Sequence, residues 1–185
     1  MTTLPDEVVL LDERGTPTGT APRESVHGTD TPLHLAFSCH LSDEAGRVLL
    51  TRRALTKRTW PGVWTNAFCG HPRPGEDILD AVRRHARHEL GIELIDVQSL
   101  LPDFRYRATD ASGVVEHEVC PVFAARTVDT PRPHPAEVME LRWVSPEELS
   151  AAAGAAPWAL SPWLVEQLTQ LGTLRGGAPG SGAAR

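Results

Sequence analysis

"GHPRPGEDILDAVRRHARHELGI", residues 70–92, is the stretch on which the fold turns. From Glu76 onward it reads as a helix. Ile78, Val82 and Ala86 fall four residues apart, with Leu79 and Leu90 flanking them, so one face is apolar. Glu76 and Asp77 stand at its start, where the helix dipole favours negative charge, and Gly91 stands where a C-terminal stop is expected. Upstream, "TWPGVWTNAFCGHPRPG" (59–75) is dense in Gly, Pro and Trp and reads as loop or irregular strand.

Strand patterns surround this helix. "LHLAFSCHLSDEAGRVLLTRRA" (33–54) reads as a hairpin turning at "SDEAG", with Leu35, Phe37 and Cys39 alternating with Ala36, Ser38 and His40. "EVVLLDERGTPTGTAPR" (7–23) reads as strand, turn at Arg14-Gly15, and a second extended piece. "IELIDVQSLLPDFRYRAT" (92–109) is a strand with a continuation, and "VVEHEVCPVFAART" (114–127) reads as one strand. "EVMELRWVSPEELSAAA" (137–153) gives a strand, then a helix capped by Ser145, and "SPWLVEQLTQLG" (161–172) a last helix. No internal repeat is visible. Mixed strands with few helices predict an α/β sandwich rather than a βαβ repeat. The expected organisation is one domain over residues 1–172 and a disordered Gly/Ala/Pro-rich tail over 173–185.

The 185 residues suit one domain with a sizeable core. A net charge of −6 argues against general attraction to nucleic acid, so an anionic ligand needs a local basic patch. No apolar run is long enough to span a bilayer, and the first residues do not read as a secretory signal. Cys39, Cys69 and Cys120 are odd in number, which argues against a disulfide framework. The expectation is a cytoplasmic protein with reduced thiols, and no surface pattern argues for more than a monomer.

Cys69 and His71 stand two residues apart in "WTNAFCGHP" (64–72). No second Cys pair supports a zinc finger, and no Cys-x-x-Cys supports a redox pair. On the strand around "VEHEV", Glu116 and Glu118 share one face, about 6.5–7 Å apart. That face continues through Val114 and Cys120, which suggests partial burial, and buried carboxylates need a metal or a basic partner. The plain alternative is a solvated strand face. His27, His34 and His71 lie in or beside loops and would complete a mixed N/O set suited to manganese or zinc.

The opening stretch carries the sharpest spacing. Gly70, Glu76, Arg84, Glu89 and Gly91 fall at the offsets of the Nudix signature, which this chain resembles over 23 residues. In that fold, helix carboxylates hold a divalent metal that holds a diphosphate. His85 and His88 stand where the hydrolase pattern has Glu, which leaves Glu89. One carboxylate can anchor a magnesium that keeps waters and phosphates as its other ligands, but supports multi-metal hydrolysis poorly. The basic run "TRRALTKR" (51–58) is placed to meet a diphosphate.

Several stretches, in order, resemble the type I isopentenyl-diphosphate isomerases: "HLAFS", "LLTRRALTK", "WPGVWTN", "CGHP", "PDFRYRA", "EHEVCPVF" and "PWALSPW". They span about Val8 to Trp163. The resemblance implies a Nudix-type α/β/α sandwich with a mixed sheet and additional N-terminal strands. It implies conversion of isopentenyl to dimethylallyl diphosphate through a tertiary carbocation, for isoprenoid synthesis. Cys69 and Glu118 would be the catalytic pair, with Tyr106 beside Glu118. His27, His34, His71, Glu116 and Glu118 would hold Mn2+ or Zn2+, and Glu89 would hold Mg2+ with the diphosphate. Arg23, Arg53 and Lys57 would bind the diphosphate, and Trp163 would lie over the isoprene unit. The family carries arginine where this chain has His85, so binding would be weaker or more pH-dependent, or Arg83 or Arg87 would substitute. The alternative is a Nudix hydrolase of a diphosphate-containing metabolite.

Overall fold

A computed structural model of the chain describes residues 6–172. The tail expected beyond residue 172 lies outside the described residues. The chain runs β1 (Glu7–Leu11), β2 (Pro17–Pro22), β3 (His34–Leu35), β4 (Phe37–Ser42), β5 (Val48–Arg53), β6 (Trp64–Thr65), β7 (Phe68–Gly70) and α1 (Ile78–His85). A π-helical turn over Ala86–Leu90 continues α1. Then come β8 (Ile95–Leu101), β9 (Arg105–Thr109), β10 (Val115–Val119), β11 (Val122–Arg126), β12 (Val138–Val144), α2 (Pro146–Ala155) and α3 (Pro162–Gln170).

The strands form two mixed sheets. One has the order β2-β1-β3-β10-β9, the other β12-β5-β4-β11-β8, with β6 on β5 and β7 on β4. β3 runs parallel to β10, and β4 runs parallel to β11. The chain therefore crosses between sheets twice, at Ala36 and at Cys120-Pro121. The crossings are bonded to each other: Ala36 N donates to Val119 O at 2.9 Å, and Ser38 N donates to Pro121 O at 3.0 Å.

Two sequence expectations change here. Residues 114–127 are two strands in two sheets, because Pro121 has no N–H to extend the ladder and the chain turns there. The 33–54 hairpin is bonded as a pair only beside its turn, Ser42 opposite Val48, and β4 takes β11 and β7 as its main neighbours. The period-2 alternation of β4 survives with both faces covered. Phe37, Cys39 and Leu41 pack under α1 with Ala81, Val82, Ala86 and Leu90. Ala36 faces the opposite core of Phe104, Tyr106, Trp163 and Leu164. Helices cover both sides of this layer, as a sandwich requires.

α1 begins where the pattern placed it. The Asp77 side chain caps it by accepting from Leu79 N at 2.8 Å. Glu76 has a different task. It accepts two bonds of 2.7 Å from Arg84, one turn beyond the helix middle, and one of 2.8 Å from Arg73 N. The loop is thereby clamped to the helix. Gly70 is required by close approach, since a Cβ there would fall 2.4 Å from the His85 ring. Gly91 closes the π turn in the left-handed region, at φ 64°.

Burial alone would raise the Glu76 carboxyl, but the Arg84 bonds outweigh it and hold its pKa below the ordinary 4.5. A lowered folded pKa contributes stability above the unfolded value and loses it as pH falls through the folded one. Glu76→Gln is expected to melt about 2–6 °C lower than the parent chain at pH 7. Thermal scans from pH 7 downward should show the two curves converging below about pH 4.5, and a gap that persists unchanged in acid would refute the clamp.

Candidate active site

The crossing strands bring distant residues to one cavity of about 640 Å³. In the parallel register Glu118 lies opposite His34. His27 comes from the loop before β3, and His71 from the residue after β7. Glu118 Oε1 lies 3.2 Å from His71 Nε2, 3.4 Å from His34 Nε2 and 3.7 Å from His27 Nε2. One ligand atom from each of the four falls within 4.8 Å of all the others.

This donor set fits a divalent cation. His34 Nδ1 lies 2.9 Å from Pro32 O, so Nδ1 carries the ring hydrogen and Nε2 turns its lone pair inward. His27 Nε2 is buried with no hydrogen-bond partner among the described residues. Burial pushes His71 down to about 4, so the ring is neutral at pH 7 and free to ligate. For His34, burial lowers the pKa but the Glu118 bond outweighs it, and the net shift is upward. Burial would raise Glu118, but its closeness to the three imidazoles outweighs this, and its pKa lies well below the usual carboxylate range.

Glu116 stands just outside the four. It accepts from Thr59 Oγ1, and burial, then the Glu118 charge, raise its pKa. The Tyr106 hydroxyl lies 2.7 Å from Glu116 Oε2 and 2.9 Å from Glu118 Oε2. A phenol has one hydrogen, so Tyr106 donates to one of the two carboxyl groups at a time.

Cys69 lies in β7, paired with β4 opposite Ser38. It lines the same cavity as Glu118. Burial pushes the Cys69 thiol up to about 12, so it keeps its proton at neutral pH. Trp163, at the start of α3, is buried and donates Nε1–H to Asn66 Oδ1 at 3.1 Å. The Arg53 guanidinium sits 5.5 Å over its ring.

The other end of the cavity is basic. Arg23 holds Asp6 in a two-point pair, and Lys57 pairs with Glu137. Arg53 donates to Thr59 O and Oγ1. All three line the cavity, as does the buried Glu89, one oxygen of which accepts from His85 Nδ1 at 2.7 Å and leaves the second available.

Residues 32–164 match the NUDIX domain family. The chain is 65% identical over 171 residues to the isopentenyl-diphosphate Delta-isomerase of Agromyces mediolanus, covering 92% of this chain and 83% of that one. It is 54% identical over 181 residues to the isopentenyl-diphosphate Delta-isomerase of Leifsonia xyli subsp. xyli, covering 97% and 98%. The chain belongs to the isopentenyl-diphosphate Delta-isomerase family. Solved structures share the fold at lower identity. A Deinococcus radiodurans protein has a TM-score of 0.69 at 22% identity, covering 89% of this chain and 98% of that one. The MutT protein of Methanosarcina mazei has 0.61 at 20%, covering 79% and 97%.

Every residue expected at the site lies in or against the one cavity, with Glu116 beside the His/Glu group rather than in it. The arginines expected to stand in for His85 do not reach it. Arg83 lies 3.8 Å from Asp80 and Arg87 pairs with Glu93 at 2.6 Å, both on the outer side of the helix. Arg73 was missed. It lines the cavity, and its Nε is buried without a partner among the described residues. The sequence signal was available, because an arginine between Pro72 and Pro74 inside a diphosphate signature is held on a stiff loop.

Titration calorimetry of the chelator-treated chain with Mn2+ should give one strong site. His34→Ala should weaken it by more than about tenfold, and an unchanged isotherm would exclude this cluster as the ligand set.

Proposed function

We propose that this chain converts isopentenyl diphosphate to dimethylallyl diphosphate in isoprenoid synthesis, using Cys69 and Glu118 as its acid–base pair. The observation that carries the assignment of roles is that a thiol and a carboxyl, Cys69 and Glu118, line one cavity. Burial pushes the thiol up to about 12, and the neighbouring imidazoles lower the carboxyl against the effect of burial. Moving a double bond needs such a pair, since one carbon gains a proton and another loses one.

The substrate alkene is a weak base, and its protonation gives a tertiary carbocation. A proton next to that cation is strongly acidic, so a carboxylate is base enough to remove it. No carbonyl is present to attack, so Cys69 works as a proton donor rather than a nucleophile. Trp163 and Tyr106 line the cavity with their ring centroids 5.6 Å apart, and Trp60 backs Trp163 edge-on at 5.3 Å. Such walls shelter a cation and exclude the water that would capture it as an alcohol. Arg23, Arg53, Lys57 and Arg73 bind the diphosphate and anchor the reacting end.

His27, His34, His71 and Glu118, with Glu116 beside them, would hold Mn2+ or Zn2+, and Glu89 would hold Mg2+. These ions would supply positive charge to the carboxylate cluster and to the diphosphate. We place the protein in the cytoplasm as a monomer, organised as one domain through residue 172. Its cysteines are free, and no helix of the described residues is long and apolar enough to cross a membrane. The net charge of −6 supports a small-molecule substrate and no nucleic-acid partner.

Proton NMR of isopentenyl diphosphate with the metal-loaded enzyme in heavy water tests the reading. The vinyl signals should give way to those of the dimethylallyl product, with deuterium entering carbon. Glu118→Gln and Cys69→Ala should each lose about 10²–10⁴-fold in turnover. A hydrolase would instead release phosphate and tolerate Cys69→Ala.

Arg73→Ala is expected to raise KM about tenfold with kcat nearly kept, the result of losing one charge-assisted bond to the diphosphate. Arg83→Ala, outside the cavity, should leave both constants as they are. Steady-state kinetics at saturating metal compares the two, and an unmoved KM for Arg73→Ala would remove Arg73 from the binding set.

A further inference from the structure

Behind Cys69, away from the cavity, lies a short buried chain of polar groups. Cys69 Sγ is 3.4 Å from Ser38 Oγ. Ser38 Oγ is 3.3 Å from Gln167 Oε1, and Gln167 Oε1 is 2.9 Å from His40 Nε2. Ser38 and Gln167 are fully buried, and His40 is partly exposed. Ser38 and His40 come from one face of β4, and Gln167 from α3, one turn after Trp163.

With Gln167 Oε1 toward Ser38 and His40, the bonds take one consistent direction. Asn66 also lies near the sulfur, with Nδ2 at 3.3 Å and Oδ1 at 3.4 Å, but each of its groups has closer partners. Its Nδ2 donates to Phe68 O at 2.8 Å and Cys39 O at 3.0 Å, which spends both hydrogens. Its Oδ1 accepts from Thr65 Oγ1 at 2.9 Å and Trp163 Nε1 at 3.1 Å, which fills both lone pairs. Ser38 is therefore the available partner of the sulfur. Burial lowers the His40 pKa despite its bond to Gln167, and its Nε2 faces Gln167 Oε1 at 2.9 Å, as an N–H donor does. The second lone pair of Gln167 Oε1 takes the Ser38 hydroxyl hydrogen. Ser38 Oγ is then left as an acceptor, and the Cys69 S–H is what it accepts.

Gln167 Nε2 is buried with no partner among the described residues, so the contacts of its amide in this wall run to Ser38 and His40.

We propose that Ser38 and Gln167, backed by His40, are positioning residues that hold the Cys69 sulfur in place. The S–H turns about one bond, so it can leave Ser38 for the substrate while the sulfur stays fixed. This inference rests on the isomerase reading above and on Cys69 as the proton-transferring thiol.

The test uses the full-length, metal-loaded enzyme with isopentenyl diphosphate, and melting temperature is recorded for every variant. Ser38→Ala and Gln167→Met should each lower kcat by roughly 10–100-fold, with KM within about twofold of the parent. Gln167→Glu keeps the acceptor facing Ser38 and His40, and should retain kcat within about threefold. Loss of kcat in Ser38→Ala and Gln167→Met with recovery in Gln167→Glu supports the inference, because a merely structural role would track melting temperature instead. A Ser38→Ala enzyme with parental kcat overturns it, as does a Gln167→Glu enzyme that falls as far as Gln167→Met. If both Gln167 variants fail to fold, Ser38→Ala decides alone. A parent chain without isomerisation would sink the functional reading, whereas a working parent with an unimpaired Ser38→Ala sinks only this inference.

Discussion

The site depends on two parallel strand segments that leave one sheet and enter the other side by side. Residues 34–42 and 118–126 keep their pairing through the crossing, with Glu118 opposite His34, Ala36 N bonded to Val119 O, and Val122 opposite Ser38. The crossing is made of residues that permit it. Ala36 is small, Pro121 cannot continue the ladder, and the Cys120 N–H is turned aside to Phe104 O at 2.8 Å. Strand side chains have a period of two, so a slip of one residue would turn His34 and Glu118 away from each other and Ser38 away from Cys69. One register thus aligns the imidazole–carboxylate cluster and the support behind the thiol. The cooperative pairing of two sheets, rather than any single contact at the site, keeps those groups together.

Electrostatics then divides the cavity. At one end Glu116 and Glu118 are buried close together, and two adjacent carboxylates do not both ionise cheaply. The three histidines settle the matter by favouring charge on Glu118, while Glu116 is pushed upward. At the other end, Arg23, Lys57 and Arg84 have carboxylate partners in Asp6, Glu137 and Glu76. Arg53, Arg58 and Arg73, which also line the cavity, have none within salt-bridge distance among the described residues. Under the proposed function, a diphosphate there would meet three cations whose charge is not yet matched by a side-chain carboxylate, and it would not need to break an ion pair to reach them. His85, by contrast, is bonded to Glu89 and wedged under Gly70, so its place on α1 is set by those two contacts.

Local chemistry was legible in the sequence, and pairing across the molecule was not. The cap at Asp77, the stop at Gly91, the capping box of Ser145 and Glu148, and the β1–β2 turn all follow from residues within a few positions of each other. The signature spacing likewise placed Glu89 and Gly70 on facing elements. The π turn over Ala86–Leu90 was not visible, because its residues have the same apolar spacing as an ordinary helix end. The strand break at Pro121 was marked by the proline itself, yet the destination of each half depends on partners that lie 80 or so residues away along the chain. His27, His34, His71 and Glu118 come from four separate segments, and only family resemblance united them before the structure did. Arg73 is the opposite case: it lies inside the signature stretch itself, on the Pro-flanked loop that Glu76 clamps, so its place at the cavity follows from that loop and not from the helix periodicity.

Under the proposed function, the burial that makes the Cys69 thiol a weak acid also serves the reaction. A sulfur exposed to water could be positioned loosely and rescued by solvent, but a carbocation intermediate cannot tolerate that solvent. The wall must be dry, so every polar group in it needs a protein partner. Asn66 meets this demand by joining β7 to α3 through Phe68 O and the Trp163 indole, with Thr65 and Ser161 completing the set at 2.8 Å from each other. Such a satisfied network is rigid, since losing any member strands another in the interior. Rigidity is what a proton transfer to carbon requires, because neither sulfur nor carboxylate gains much from a hydrogen bond to the alkene in the ground state. Their positions must be set in advance by the fold, and in this chain the crossing strands set them.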